Sequence, residues 1–239
     1  MRKIIIQKSL IKVLIIVALI IGKEINAQNS YSTDLESWNL IQVAYKPTKK
    51  LKFDLEGQMR FKDNISVIDR YIVQLGTEYS IYKQIKIGGA LRYINKNDNN
   101  GQIQGYENYL RYNFDASNKH KIERLWIKYR LRFQNRKEIE EGIFSSDFNK
   151  PYLRYKLSLG YNIKKSKLEP EISGELFHPI GGEERTGVNA FRFTFGTSYS
   201  FKDFGKVDLF YRIQKELDII YLQSTNIIGF KYSYLIKGY

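Results

Sequence analysis

The chain has 239 residues, a formal net charge of +14, 43% hydrophobic and 15% aromatic residues, and no cysteine. Without cysteine there are no disulfide staples, thiolate zinc sites or thiol catalysis, and burial and hydrogen bonding must supply the stability. No Pro/Ser-rich linker or shift in composition divides the chain, which suits one large domain.

Residues 1–27 have the layout of a secretory signal peptide. Arg2, Lys3, Lys8 and Lys12 precede an apolar stretch over 13–21, then Gly22 and a short polar segment ending at Ala27. The apolar stretch is about half of the roughly 20 residues that a helix needs to span a bilayer. Cleavage after Ala27 removes five basic residues and one acidic, leaving residues 28–239 with a charge of +10 as a single exported β-barrel domain.

Beyond the leader, polar and apolar residues alternate with a period of two, the mark of strands with two unlike faces. A weak copy lies at 37–46. The segment 51–62, LKFDLEGQMRFK, places Leu51, Phe53, Leu55, Gly57, Met59 and Phe61 on one parity and Lys52, Asp54, Glu56, Gln58, Arg60 and Lys62 on the other. The pattern returns clearly at 71–81 and 125–133, and more weakly at 85–95, 103–115, 151–162, 167–178, 189–201, 206–216 and 221–236.

These make eleven candidates. Short breaks at 46–49, 82–84, 164–166 and 202–205 interleave with longer ones at 96–102, 137–150 and 179–187, as in an up-and-down meander with turns at one rim and loops at the other. The fold class expected is all-β, an antiparallel up-and-down transmembrane β-barrel. Single-chain bacterial barrels usually have an even strand number. The expectation is therefore about twelve strands, with one hidden near 28–36, and ten is the alternative.

Periodicity alone does not say whether the apolar parity faces lipid or a dry core. Strands of ten to twelve residues match the apolar band of an outer membrane, roughly 25 Å tall. The 19 tyrosines and 14 phenylalanines could form interfacial girdles. The polar parity includes Gly76, Gly88, Ala90, Gly160 and Gly196, as a crowded lumen would. The chain ends in an aromatic, Tyr239, the kind of signal that outer-membrane barrels present to their assembly machinery, although it falls on the polar parity of the last strand. Membrane lipid and lipopolysaccharide phosphates, the latter near Arg136 and Lys137, are the other partners expected. Nucleic acid is not, because the basic residues alternate with aromatics on exported strands.

The tryptophan opening the first patterned strand, Trp38, the segment LKFDLEGQMRFK and the basic aromatic strand KPYLRYKLSLGY resemble a family of Gram-negative exported proteins catalogued as domain of unknown function 2490. The resemblance covers nearly all of the mature chain. It implies a membrane barrel with no assigned activity.

Projected inward, the polar parity offers Arg92, Arg111, Arg130, Arg132, Arg154, Lys156, Arg192 and Arg212 together with Glu56, Glu78, Glu107, Glu169, Glu171, Glu175 and Asp208. One reading is a lumen filled by mutually paired side chains in a closed structural or adhesive barrel. Another is a small pore or uptake channel for polar or anionic solutes, since rings of Arg and Lys select anions. A rim lipid or peptide hydrolase is a third. It has only His120, placed in a turn, and His178, at a strand end with Glu175 on the other parity, so no catalytic set assembles and an enzyme is not expected. No phosphate loop, His-x-x-x-His pair or EF-hand loop is present, and no cofactor or metal is expected.

Overall fold

The computed structural model describes residues 32–98, 105–140, 143–144, 151–181, 187–217 and 223–239. The leader and residues 28–31 lie outside them. The described chain is all β, in twelve strands: β1 (Ser32–Lys46), β2 (Leu51–Lys62), β3 (Val67–Ser80), β4 (Ile85–Asp98), β5 (Gly105–Ile122), β6 (Leu125–Glu140), β7 (Ile143–Phe144), β8 (Tyr152–Tyr161), β9 (Leu168–Pro179), β10 (Ala190–Ser200), β11 (Lys206–Glu216) and β12 (Gln223–Lys237). Strand β7 is a two-residue hairpin on the end of β6. The other eleven form one sheet in which each long strand pairs with the next in sequence, and β1 pairs with β12, so the sheet closes into a barrel.

The odd count has a topological consequence. In an up-and-down meander successive strands alternate in direction, so the first and last of eleven run the same way. Closure is therefore parallel between β1 and β12, in unbroken register from Ser32 opposite Gln223 to Lys46 opposite Lys237, whereas every other pairing is antiparallel. The expected extra strand near 28–36 is not a separate element: residues 32–36 are the start of β1. The even-number rule yields to a seam that a parallel ladder closes, at slightly lower stability per residue than an antiparallel one.

Several strands run further than the pattern predicts. β5 extends to Ile122, so His120 lies in a strand opposite Ile127, not in a turn, with its ring edge-on to Tyr129. β6 continues to Glu140, which places Arg136 and Lys137 within a strand and not in an outward loop; Arg136 stacks over the ring of the inward-facing Tyr109. The polar segments at these ends still find backbone partners on the neighbouring strand. β12 stops at Lys237, two residues before Tyr239, and Gly238 donates its N–H to the Lys46 carbonyl across the seam.

Parity is kept round the barrel apart from a bulge in the β2–β3 ladder at Arg60/Phe61. The apolar parity points outward and stays exposed, as with Ile41 (62% exposed), Leu75 (60%) and Phe114 (62%). The polar parity points inward together with a few apolar residues, chiefly Trp38, Leu40 and Ile227 on one wall and Ile72, Ile94 and Tyr109 on another. Small residues serve the inner crowding: a Cβ at Gly160 would overlap the Trp126 indole, which donates to Glu169 and lies under Lys119, whereas one at the outward Gly57 would meet nothing.

Overpacking a filled interior costs roughly 1–3 kcal/mol. Gly160→Val should lower the thermal midpoint of the folded barrel by several degrees, since a chain of this size loses roughly 2–4 °C per kcal/mol. Gly57→Val should leave it unchanged. Thermal melts followed by circular dichroism compare the two.

Candidate functional site in the barrel lumen

Inside the barrel lies a cavity of about 480 Å³, and a second of about 390 Å³ sits towards the short-turn rim. The two share Lys86, Lys128, Arg130 and Lys156 as lining residues. The first brings together Glu56, Glu78, Arg92, Arg111, Arg130, Arg132, Arg154, Lys156, Glu175, Arg192 and Arg212, which come from nine different strands and share one wall only because the sheet closes. Glu169 and Glu171 face the second. Glu107 faces Lys96, 3.5 Å away, and accepts from the Tyr109 hydroxyl.

Two carboxylates organise the first cavity. Glu175 on β9 receives Arg130 at 2.5 Å, Arg154 at 2.8 Å and Arg192 at 3.6 Å, three guanidiniums from three other strands on one buried acid. Glu56 on β2 receives Lys231 of β12 at 2.6 Å, Arg92 of β4 at 3.6 Å and the Gln58 amide. The Lys231 bond spans the β1–β12 seam, because β1 lies between β2 and β12. A third pair is local: Arg132 donates twice to Asp115, each bond 2.6 Å long, in the fork geometry that suits a carboxylate. At the turn side Lys86 reaches Glu78 at 2.7 Å and Lys156 stands 3.9 Å from Glu171.

Neutral groups take up further guanidinium capacity. Arg92 donates twice to Gln74, Arg192 twice to Gln214, and Arg154 to Gln134. Aromatic faces take the rest. Arg60 lies 3.6 Å over the Trp38 ring, with Arg192 and Arg212 at 5.3 and 5.1 Å, and Arg212 also stacks on Phe210 at 3.9 Å. Sequence reasoning read Trp38 only as the opening of a strand and did not single out Lys231, Gln74 or Asp115. The signal was present, since all four share the parity of the charges on their strands.

The balance of charge is one-sided. Thirteen basic side chains and five carboxylates line the first cavity, a surplus of eight positive charges. Neutralisation by acids is complete for some of these cations and absent for others. His178 does not join this set: it sits outward opposite Leu153, while Glu175 points inward to its arginines. Among the described residues no cluster of three or more His, Asp or Glu is arranged to hold a metal.

Removing one member of a buried ion cluster leaves its partners uncompensated, at about 3 kcal/mol or more. Glu175→Gln should therefore lower the denaturant midpoint of folding clearly. Asp115→Asn, which strands one guanidinium in a more open position, should lower it less. Parallel urea titrations followed by tryptophan fluorescence test the order.

A family model described as a protein of unknown function, DUF2490, matches residues 35–219, from β1 to just past β11. No curated protein matches the chain. With more than half its length matched, the chain belongs to the DUF2490 family of proteins of unknown function.

Proposed function

We propose that the protein is an outer-membrane β-barrel whose lumen admits small polar anions. The observation that carries this reading is the pairing of two opposite surfaces on one closed sheet: an outer face of exposed apolar side chains, and an inner cavity with a surplus of eight positive charges. A soluble monomer rarely exposes contiguous apolar surface beyond a few hundred Å². A hydrocarbon environment, by contrast, requires both the apolar exterior and a sheet without open edges. The signal-like leader supports export, and the short turns would then face the periplasm, with the loops outside.

An anion entering such a lumen meets guanidinium and ammonium groups from eight of the eleven long strands, which lowers its cost of desolvation and excludes cations. Eleven strands place the lumen between the side-chain-filled interior of eight-stranded barrels and the open channel of sixteen-stranded porins. A second reading, a closed structural barrel, is favoured by one observation: Glu56 and Glu175 tie cations of several strands together across the interior. The two readings diverge on ion flow.

In planar bilayers the anion-channel reading predicts discrete conductance steps with a reversal potential on the anion side. Arg130→Glu with Arg132→Glu should move that potential towards cations. Conductance equal to that of bare bilayer would leave the closed barrel as the surviving reading. Independently, the leaderless chain should precipitate in plain buffer and fold in detergent micelles; a folded monomer in buffer would overturn membrane placement altogether.

A further inference from the structure

One wall of the lumen is built against the ordinary rules of sheet pairing. Arg92 on β4 lies directly opposite Arg111 on β5, Arg111 opposite Arg136 on β6, Arg132 opposite Arg154 on β8, and Arg130 opposite Lys156. Like charges directly opposite one another destabilise a strand pair. Such a wall depends on counter-charge from elsewhere, and most of it is supplied. Asp115 takes Arg132, Glu56 takes Arg92, and Glu175 takes Arg130 and Arg154.

Arg136 lies over the Tyr109 ring, which leaves Arg111. Among the described residues its guanidinium has no carboxylate partner, and its Nε is buried without an acceptor. The charged groups that bear on it most are Arg92, Arg154, Arg132 and Arg60, all positive. Two residues along the same face of β5, the fully buried Asn113 has an amide oxygen without a donor. Arg111, Asn113, Arg92, Arg132 and Arg154 all line the cavity of about 480 Å³, many times the roughly 30 Å³ of one water. Both residues thus line one polar space amid uncompensated positive charge, and each carries a buried polar atom without a partner.

We propose that Arg111 and Asn113, flanked by Arg92, Arg132 and Arg154, form a binding site for free inorganic hydrogen phosphate. The fit is chemical. The anionic oxygens of hydrogen phosphate accept from guanidinium donors, and its remaining O–H donates to the Asn113 oxygen. Sulfate offers the same acceptors but no proton at neutral pH, and chloride has no directional geometry. The site rests on the reading of the lumen as an anion-accepting space, but it does not need conduction.

The test uses the leaderless full chain folded in detergent, with inorganic phosphate, glycerol phosphate, sulfate and chloride at matched ionic strength. Phosphate should raise the melting midpoint saturably and give heat in calorimetric titration, sulfate should bind at least tenfold more weakly, and chloride should show no saturation. Glycerol phosphate, mostly a dianion without a P–O–H proton at neutral pH, should bind about as weakly as sulfate; binding as tight as that of inorganic phosphate would overturn the recognition of that proton by Asn113.

Arg111→Gln should reduce phosphate affinity at least tenfold yet raise the midpoint in phosphate-free buffer, since it removes an uncompensated charge. Asn113→Asp, which supplies Arg111 with a carboxylate in place, should fold and likewise lose phosphate. Equal stabilisation by all three inorganic anions, or phosphate affinity unchanged in both variants, would overturn the site. A barrel that binds phosphate in micelles but passes no current sinks only the channel, and one that conducts without saturable phosphate binding sinks only the site.

Discussion

The structure depends on closure of the backbone ladder. A strand at the edge of a sheet carries a row of unpaired N–H and C=O groups, and a sheet closed on itself carries none. Here closure falls to the parallel β1–β12 seam, fifteen residue pairs long, which joins the first and last described strands. Two side-chain features reinforce it. Lys231 reaches across β1 to Glu56, and Trp38 on β1 packs with Ile227 on β12 and with Phe210. Inside and outside exist only once this seam has formed. The alternation of residues along each strand then sorts oil from charge without further instruction.

Closure also sets the electrostatic problem. Every inward position of every strand is delivered to one narrow space, so charges far apart in sequence become neighbours. Glu56 and Lys231 are 175 residues apart and lie 2.6 Å from one another. A lumen assembled in this way is held together by a few acids with several partners each. Glu175 and Glu56 hold five cations between them, an arrangement that locks the relative rotation of β2, β4, β6, β8, β9, β10 and β12 more firmly than the same number of separate pairs would.

Much of this was legible in the sequence because a period of two is a local property. The parity of LKFDLEGQMRFK puts Phe53 and Leu55 on one face and Asp54 and Glu56 on the other with no knowledge of the fold, and the structure turns the first pair outward and the second inward. Non-local properties were not legible. Strand count depends on how the ends meet, and a preference for even numbers cannot foresee a parallel seam. The ends of β5 and β6 are polar, and polar residues read as loop unless a neighbouring strand is known to supply their hydrogen bonds, as β6 does for the stretch around His120. The partners inside the lumen were hidden for the same reason. Parity says that Arg132 and Asp115 both face inward, but only the register of β5 with β6 sets them opposite one another.

The inward aromatics explain how so cationic a lumen holds together without a matching number of acids. A guanidinium over the face of tryptophan gains roughly 0.5–2 kcal/mol from the ring quadrupole, and it remains positively charged towards the cavity. Had carboxylates replaced Trp38 and Phe210, Arg60 and Arg212 would be neutralised, and part of the lumen field with them. The aromatic faces instead stabilise these arginines in place while leaving their charge directed at the cavity. Lys119 over Trp126 repeats the device nearer the turn rim, where the indole N–H is turned to Glu169 and its face to the ammonium. Trp38 and Trp126, the two tryptophans of the chain, are thus placed where a cation needs support without being neutralised.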